Sequence, residues 1–373
     1  MKPIIVLSGV NFTEMGPLSV FKEAIASLTS EYASSYDIVA LVHRKNLFNI
    51  PGVKLIEFPE VKSSWLKRLR FEYRQCHVIS REFKPYLWFA MHDMTPNVIA
   101  GRKAVYCHNP SPFYPFSMKE ALLDWKFGLF TLFYRFLYGF GIRSNDFVVV
   151  QQDWLRKKFQ LRYGVRNVIV SHPSLGEFKL GGAGADRNSN QTYSFFFPAY
   201  PRTFKNVEVI LKAARGMERR GLNCFEVWLT MDGRETPYAA KMRREYSDLR
   251  TVKWMGLQPR EEVIKLYEHA NCLLFPSKLE TWGMPITEFK VTRKPILVAD
   301  LPYAHETVGQ YDKAAFFSPE DDEALSMKMS DAISGVNIFA PHAPRPIAEP
   351  FSHNWSELWR ILLADKEQPV GPR

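Results

Sequence analysis

Two glutamates, Glu280 and Glu288, stand with seven residues between them around a turn that contains Gly283 and Pro285. The run Asn271-Cys-Leu-Leu-Phe275 ahead of them reads as a buried strand, and Pro276 and Ser277 end it. Pro285 sits early in the helix that comes next, where no backbone donor is wasted. That helix is expected over Ile286 to Val291, stopping near Lys294-Pro295, and a second buried strand continues to Ala299. Strand, loop, helix and strand in this order build a parallel sheet. A helix start presents free N–H groups to a phosphate, and Gly283 lets a ligand come close to the backbone. Two carboxylates beside such a place suit a ligand that also carries hydroxyls, as a nucleotide sugar does.

The pattern Glu280-x7-Glu288 with Gly283-Met-Pro285 inside it resembles the donor-site signature of the retaining glycosyltransferases of family 4, group 1 glycosyltransferases with the GT-B fold. The likeness is specific from Phe275 to Val298 and extends to most of the chain as an order of elements. Trp282 stands where Phe is common, and Arg293-Lys294 where a small residue and Gly are usual. The resemblance implies that Glu280 binds sugar hydroxyls, that Glu288 binds the donor's ribose, and that backbone from Gly283, Met284, Pro285, Ile286 and Thr287 holds sugar and diphosphate. It also implies that Lys205 reaches the diphosphate, helped by Arg202, which lies two places beyond the usual arginine position, occupied here by Tyr200. Backbone near Gly256 and Leu257 is implied at the base. Gly16 is the one glycine left of a usual pair in the first loop, and the plainer alternative is that it opens a helix. His108, in Tyr106-Cys-His-Asn-Pro110, matches a family histidine near the transferred sugar. It also comes directly after a strand, where parallel sheets gather ligands, although a lone histidine is more often structural.

The resemblance thus implies a hexosyl- or deoxyhexosyltransferase with Glu280, His108 and Lys205 as catalytic residues. Its donor would be a nucleotide-diphosphate sugar and its acceptor a glycan or a lipid-diphosphate-linked glycan, in O-antigen, capsule or other surface polysaccharide assembly. No metal and no cofactor are expected. Other GT-B chemistry (an epimerase or a phosphorylase), a non-catalytic sugar-nucleotide scaffold and a basic nucleic-acid-binding protein are the alternatives. Against the last, the cations are dispersed and no nucleic-acid motif is present, so no nucleic-acid partner is expected.

The elements that must position these residues are read from the rest of the chain. Its 373 residues and 46% hydrophobic content suit two α/β domains. The GT-B likeness makes them Rossmann-like with a cleft between them. The expected division is an acceptor domain over 1–173, a linker and mobile loop over 174–192, a donor domain over 193–350, and a helix over 351–373 that crosses back. Net charge is +10 with a pI near 9.3, which favours an acidic partner. Cys76, Cys107, Cys224 and Cys272 are scattered and read as reduced. Met1-Lys-Pro-Ile-Ile-Val-Leu enters a strand at once, which points to the cytoplasm without a leader. Strands are expected near residues 4–7, 37–42, 53–58, 86–91, 103–107, 146–150, 168–170, 193–197 and 226–231. Helices are expected over 18–28, 154–163, 207–219 and 321–333, and after Leu257 as far as His269. Asp321-Asp322 reads as a helix cap and not a metal motif.

Two segments point to a surface. Residues 62–84 are basic and aromatic; at helical spacing Trp65, Leu69, Tyr73 and Cys76 share one side, with Lys67, Arg68, Arg70 and Arg74 among the cations spread on the other. Residues 117–143 hold a dense aromatic run around Arg135, too short and too interrupted to span a bilayer. Buried helices are one reading. The other is a peripheral site on the inner face of an anionic membrane.

Overall fold

The computed structural model describes residues 2–13, 15–115, 124–173, 192–339 and 346–364. Most of the expected linker and loop, and residues 117–123 of the aromatic segment, lie outside that set. The chain divides into two compact units, Met1–Phe113 with Thr131–Leu175 and Pro346–Arg373, and Tyr114–Phe130 with Gly176–Arg345. Each unit is built on one all-parallel sheet.

In the first unit the strands are β1 (Ile4–Ser8), β2 (Asp37–Val42), β3 (Val53–Glu57), β4 (Leu87–Ala90), β5 (Arg102–Cys107), β6 (Phe147–Val150), β7 (Val168–Ser171) and β14 (Phe351–Ser352). They lie in the order β14-β7-β6-β5-β4-β1-β2-β3. The apolar runs Ile5-Val-Leu7, Val148-Val-Val150 and Val168-Ile-Val170 are buried along their length, as strands covered on both faces must be. One core joins Ile5, Leu7, Phe21, Ile25, Leu28, Leu87, Phe89 and Ile169 with Trp355, Leu358, Trp359 and Leu362. The last four come from the helix Trp355–Leu363, which Asn354 caps by accepting the Glu357 N–H.

In the second unit the strands are β8 (Tyr193–Phe197), β9 (Phe225–Leu229), β10 (Val252–Trp254), β11 (Cys272–Phe275), β12 (Ile296–Ala299) and β13 (Ala314–Phe317). Their order is β10-β9-β8-β11-β12-β13. This is the doubly wound order in which the chain runs outward from one central strand and then restarts on its other side. The restart falls between β8 and β11 here, and between β1 and β4 in the first unit. At such a point the loops leaving the two strands diverge, and their carboxyl ends leave a crevice for a ligand.

Several boundaries move. The first helix is Met15–Tyr32 and already contains Gly16 in its opening turn. The helix after Gly283 is Met284–Lys290, with Pro285 near its start. Asp321 caps the helix Asp322–Ile333 by accepting the Ala324 N–H at 2.8 Å, as its sequence position implies. Among the described residues no helix is long and apolar enough to cross a membrane.

The basic segment needs correction. It is a helical stretch, Trp65–Arg70 and Cys76–Phe83, joined by the wide π turn Phe71–Gln75. Its buried face is Arg68, Phe71, Glu72, Cys76 and Ser80, whereas Trp65 is 45% exposed. An α-helix of about 3.6 residues per turn rotates a strict i+4 stripe steadily off one face. The wider π turn holds positions 68, 72, 76 and 80 together. Arg68 therefore points into the unit and is no part of a solvated basic surface.

Candidate active site

In the second unit the crevice is lined by the loops that leave β8 and β11. After β8 the chain makes a short turn, Thr203–Lys205, and then Asn206, whose left-handed backbone (φ +56) starts the helix Val207–Arg219. Asn206 is buried, and its amide donates to the carbonyls of Pro276 (3.2 Å) and Pro319 (2.8 Å). The Lys278 N–H donates to Phe204 O at 2.7 Å. These bonds stitch the two loops side by side and bring Lys205 Nζ onto Glu280 Oε1. Both side chains are mostly covered, at 20% and 14% exposure. Phe204 and Phe275 lie 5.6 and 5.9 Å from the ammonium, so the pair has apolar walls.

Gly283 takes φ +83, and a side chain there would press on Ile286 and Phe275, so glycine is needed for both backbone and space. Trp282 holds the turn: its Nε1 donates to Thr287 Oγ1 at 2.9 Å, and its carbonyl accepts the Thr307 hydroxyl. The Ile286 N–H already donates to Gly283 O at 2.9 Å, so this expected donor is used within the turn. Met284 is half-exposed at the helix start.

Glu288 is buried, with Arg260 and Tyr267 against it. Arg260 meets its carboxylate as a fork, NH1 to Oε2 at 2.8 Å and NH2 to Oε1 at 2.6 Å, and the Tyr267 hydroxyl donates to Oε2 at 2.9 Å. Burial and the Glu288 charge push the Tyr267 hydroxyl well above its ordinary range, so it acts as a donor throughout the useful pH range. Gly256, with φ +70, and the exposed Leu257 come after β10. They lead into the helix Arg260–His269, which carries both partners of Glu288.

Arg202 turns to Asp124, its NH1 3.2 Å from Oδ2. Sequence reasoning missed Arg260, Tyr267 and Asp124. One signal for Arg260 was present: a cation in the first turn of a helix opposes the macrodipole, and such a residue needs a partner.

In the first unit the corresponding crevice is formed after β1 and β4. His92 and Asp93 lie just beyond β4, and Ser8 ends β1. Arg68 NH2 donates to His92 Nδ1 at 2.7 Å, which leaves Nε2 to carry the ring proton, 3.0 Å from Ser8 Oγ and 3.5 Å from Glu72 Oε1. Burial and then the Arg68 charge keep His92 well below the ordinary histidine range, so it is neutral. Glu72 is pushed up to about 7 by burial, against the pull of Arg68, whose Nε lies 2.8 Å away.

His108, one quarter exposed, sits directly after β5. Asp93 Oδ1 accepts the N–H of His108 at 2.8 Å and of Asn109 at 3.1 Å, and the Tyr138 hydroxyl at 2.6 Å. The same oxygen is 3.4 Å from His108 Nδ1. Asp93 itself is buried in a left-handed conformation (φ +72). Gly16 stands apart: a side chain there would meet nothing within 4 Å. Gly9 is the glycine that packing requires, because a side chain would collide with Phe21.

Proteins of known kind share this sequence pattern and this architecture. The model of the family "Glycosyl transferases group 1" matches residues 185–337. A curated relative, the O-antigen chain mannosyltransferase RfbU of Salmonella typhimurium (strain LT2), is 27% identical over 113 residues, 28% of this chain. The chain spans about a third (31%) of the length of that relative. Among solved structures, WaaG, a glycosyltransferase involved in lipopolysaccharide biosynthesis, has a TM-score of 0.61 at 14% identity and covers 88% of this chain and 90% of its own. Anabaena Alr3699/HepE, solved in complex with UDP and glucose, has a TM-score of 0.60 at 14% identity and covers 96% and 95%. Over residues 185–337 the chain is similar to the group 1 glycosyl transferases, and its two doubly wound units are those of the GT-B fold.

Proposed function

We propose that the protein is a retaining glycosyltransferase of family 4. It moves a hexosyl or deoxyhexosyl group from a nucleotide-diphosphate sugar to a glycan or lipid-diphosphate-linked acceptor in surface polysaccharide assembly. The observation that carries this reading is the Lys205–Glu280 pair at the strand restart of the second sheet. A carboxylate there orients sugar hydroxyls. The ammonium beside it neutralises the charge that grows on the diphosphate as the sugar–oxygen bond breaks, an effect that acts more on the transition state than on the bound substrate. Arg202 adds a second cation once it leaves Asp124, and Glu288 takes the ribose. His108 keeps the role that the resemblance gives it. The acceptor attacks from the side on which the diphosphate departs, which keeps the configuration of the sugar. Lys205 and Arg202 supply the positive charge, so the proposed reaction needs no divalent ion and proceeds in a chelator.

The names of RfbU and WaaG direct the acceptor search to O-antigen and lipopolysaccharide; RfbU and the HepE complex put mannose and glucose donors first. The test is a panel of nucleotide sugars screened by thermal shift, and then transfer from the labelled donor that binds. Proton NMR of the product reads its anomeric configuration. A product of inverted configuration overturns retention. A panel without any shift, together with a salt-dependent shift on DNA or RNA, favours the basic binding protein instead.

A second reading concerns where the acceptor is met. In the first unit Trp65, Leu66, Leu132, Phe133, Phe136 and Phe140 are all exposed. Trp65 contacts Phe133 at 5.0 Å and Tyr73 contacts Phe140 at 5.2 Å, so the helical stretch from Trp65 to Phe83 lies beside the segment from Phe133 to Phe140. Lys67, Arg70 and Arg74 are exposed on the first of them. An apolar row with cations beside it fits an anionic membrane surface.

A further inference from the structure

Glu288 is buried at 5% exposure, yet it holds a full charge-assisted fork from Arg260 and a third bond from Tyr267. A lone carboxylate in such a place loses its hydration at heavy cost unless a counter-charge and hydrogen bonds replace the water. Among the described residues, the charged and titratable groups that meet it are Arg260 and Tyr267, both from the helix Arg260–His269. The arrangement is asymmetric. Tyr267 is wholly covered, and its ring packs against Phe196 (5.6 Å) and Phe289 (5.7 Å). Arg260 is 54% exposed and reaches the carboxylate from the solvent side. Oε2 accepts two bonds and Oε1 one, while a carboxylate offers about four acceptor sites. The carboxylate plane is therefore fixed, and acceptor capacity remains on Oε1.

We propose that Arg260 is a positioning residue for the nucleotide: its guanidinium fork fixes the plane of the Glu288 carboxylate so that the remaining acceptor capacity meets the donor's ribose hydroxyls. The inference rests on the ribose role given to Glu288 above. It adds a residue outside the glutamate pattern and gives the short loop from Gly256 to Pro259 a purpose, since that loop delivers Arg260 to the site. A lysine cannot do the same work: it offers a point charge without a planar fork. Arg260 acts through Glu288 and through the sugar of the nucleotide, so its effect vanishes when either is removed.

Calorimetry with UDP, GDP and ADP on the full chain identifies the nucleoside diphosphate that binds, and its 2′,3′-dideoxy analogue is then compared. Glu288→Ala weakens the ribonucleotide by roughly 10- to 100-fold, the worth of a hydrogen bond to a charged group. Arg260→Met weakens it by about tenfold in the native background, and by less than about twofold when Glu288 is already Ala, the sign of a coupled pair. Against the dideoxy analogue, Arg260→Met changes little. Arg260→Lys, which keeps the charge and so tolerates the buried carboxylate, still loses ribonucleotide affinity, and added guanidinium chloride at millimolar concentration restores part of the loss in Arg260→Met.

An equal loss from Arg260→Met in both backgrounds, or an equal loss for the dideoxy analogue, overturns the proposal: Arg260 then touches the nucleotide elsewhere or only supports the fold. Unchanged affinity in Glu288→Ala overturns the ribose assignment itself, and is a different result from the first.

Discussion

Lys205 and Glu280 are 75 residues apart in sequence and meet only because β8 and β11 are neighbours with no strand between them. Either group can be guessed from its own local pattern, but the ion pair cannot, because no periodicity links two loops. The same holds for Asp93, which gathers the backbone of His108 and Asn109 from a different strand end. It also holds for Arg260 and Tyr267, whose partner lies 28 and 21 residues on. The legible groups were those held within one turn: Glu280, Gly283, Pro285 and Glu288 share a single strand–turn–helix unit, and their spacing is set by it. Lys205 is the residue whose substitution tests the chemistry most directly. Lys205→Ala is expected to lower kcat by roughly 10²- to 10³-fold, the scale seen when one group that stabilises growing negative charge is removed, with a smaller change in KM. Lys205→Arg keeps a cation and is expected to fall between. Initial-rate kinetics with the donor that the panel identifies provide the check. A rise in KM alone, with kcat intact, makes Lys205 a ground-state anchor for the diphosphate.

At the scale of elements, the sequence read the helix Val207–Arg219 to the residue, because its apolar positions recur at helical spacing and its buried face tracks them. It misassigned the face of the stretch from Trp65 to Phe83, because a π turn is invisible to a count based on about 3.6 residues per turn. The consequence is practical. A variant that neutralised Lys67, Arg68, Arg70 and Arg74 together would strip the buried Glu72 of its counter-charge, and any lost membrane binding would then report unfolding. The informative variant leaves Arg68 alone. Lys67, Arg70 and Arg74 changed to Gln removes three exposed cations, each worth about 1 kcal/mol near an anionic surface. Phe136→Ser removes apolar area from the exposed row. The wild type is expected to sediment with vesicles rich in phosphatidylglycerol at low salt and to be released at high salt. The triple variant binds much less while its circular dichroism and melting midpoint stay unchanged, and Phe136→Ser weakens binding with little effect on the salt dependence. Equal sedimentation of all three proteins removes the membrane reading and leaves a freely diffusing acceptor.

For the molecule as a whole, the strands were the most legible feature. A parallel sheet is covered on both faces, so its strands are short, unbroken apolar runs bounded by turn residues, and Tyr193–Phe197 and Asp37–Val42 were read to the residue. β14 was not legible. It has two residues, and its place beside β7 depends on Arg156 donating to the carbonyls of Ala348 and Pro350, nearly two hundred residues on. The helix Trp355–Leu363 after β14 completes the first core. Trp359 is fully buried with its ring 5.5 Å from Phe89, and Arg102 donates to the Leu362 carbonyl at 2.8 Å. The first sheet thus depends for its closure on a segment at the far end of the chain, while the second has its own core around Phe195, Phe196, Leu273 and Phe289. Trp359→Ala separates the two. Removal of a buried tryptophan costs about 3–5 kcal/mol, through lost burial and the cavity left behind. Hydrogen exchange read by mass spectrometry is expected to show peptides of β1, β4 and β5 losing protection, with those of β8, β11 and β12 keeping theirs. Nucleotide affinity, which the second unit carries in the proposed reading, is expected to stay within about twofold of wild type, the scatter typical of independent sites. Loss of protection spread evenly over both sheets would mean that the two cores unfold as one, and the C-terminal helix would then stabilise the entire chain and not the first sheet alone.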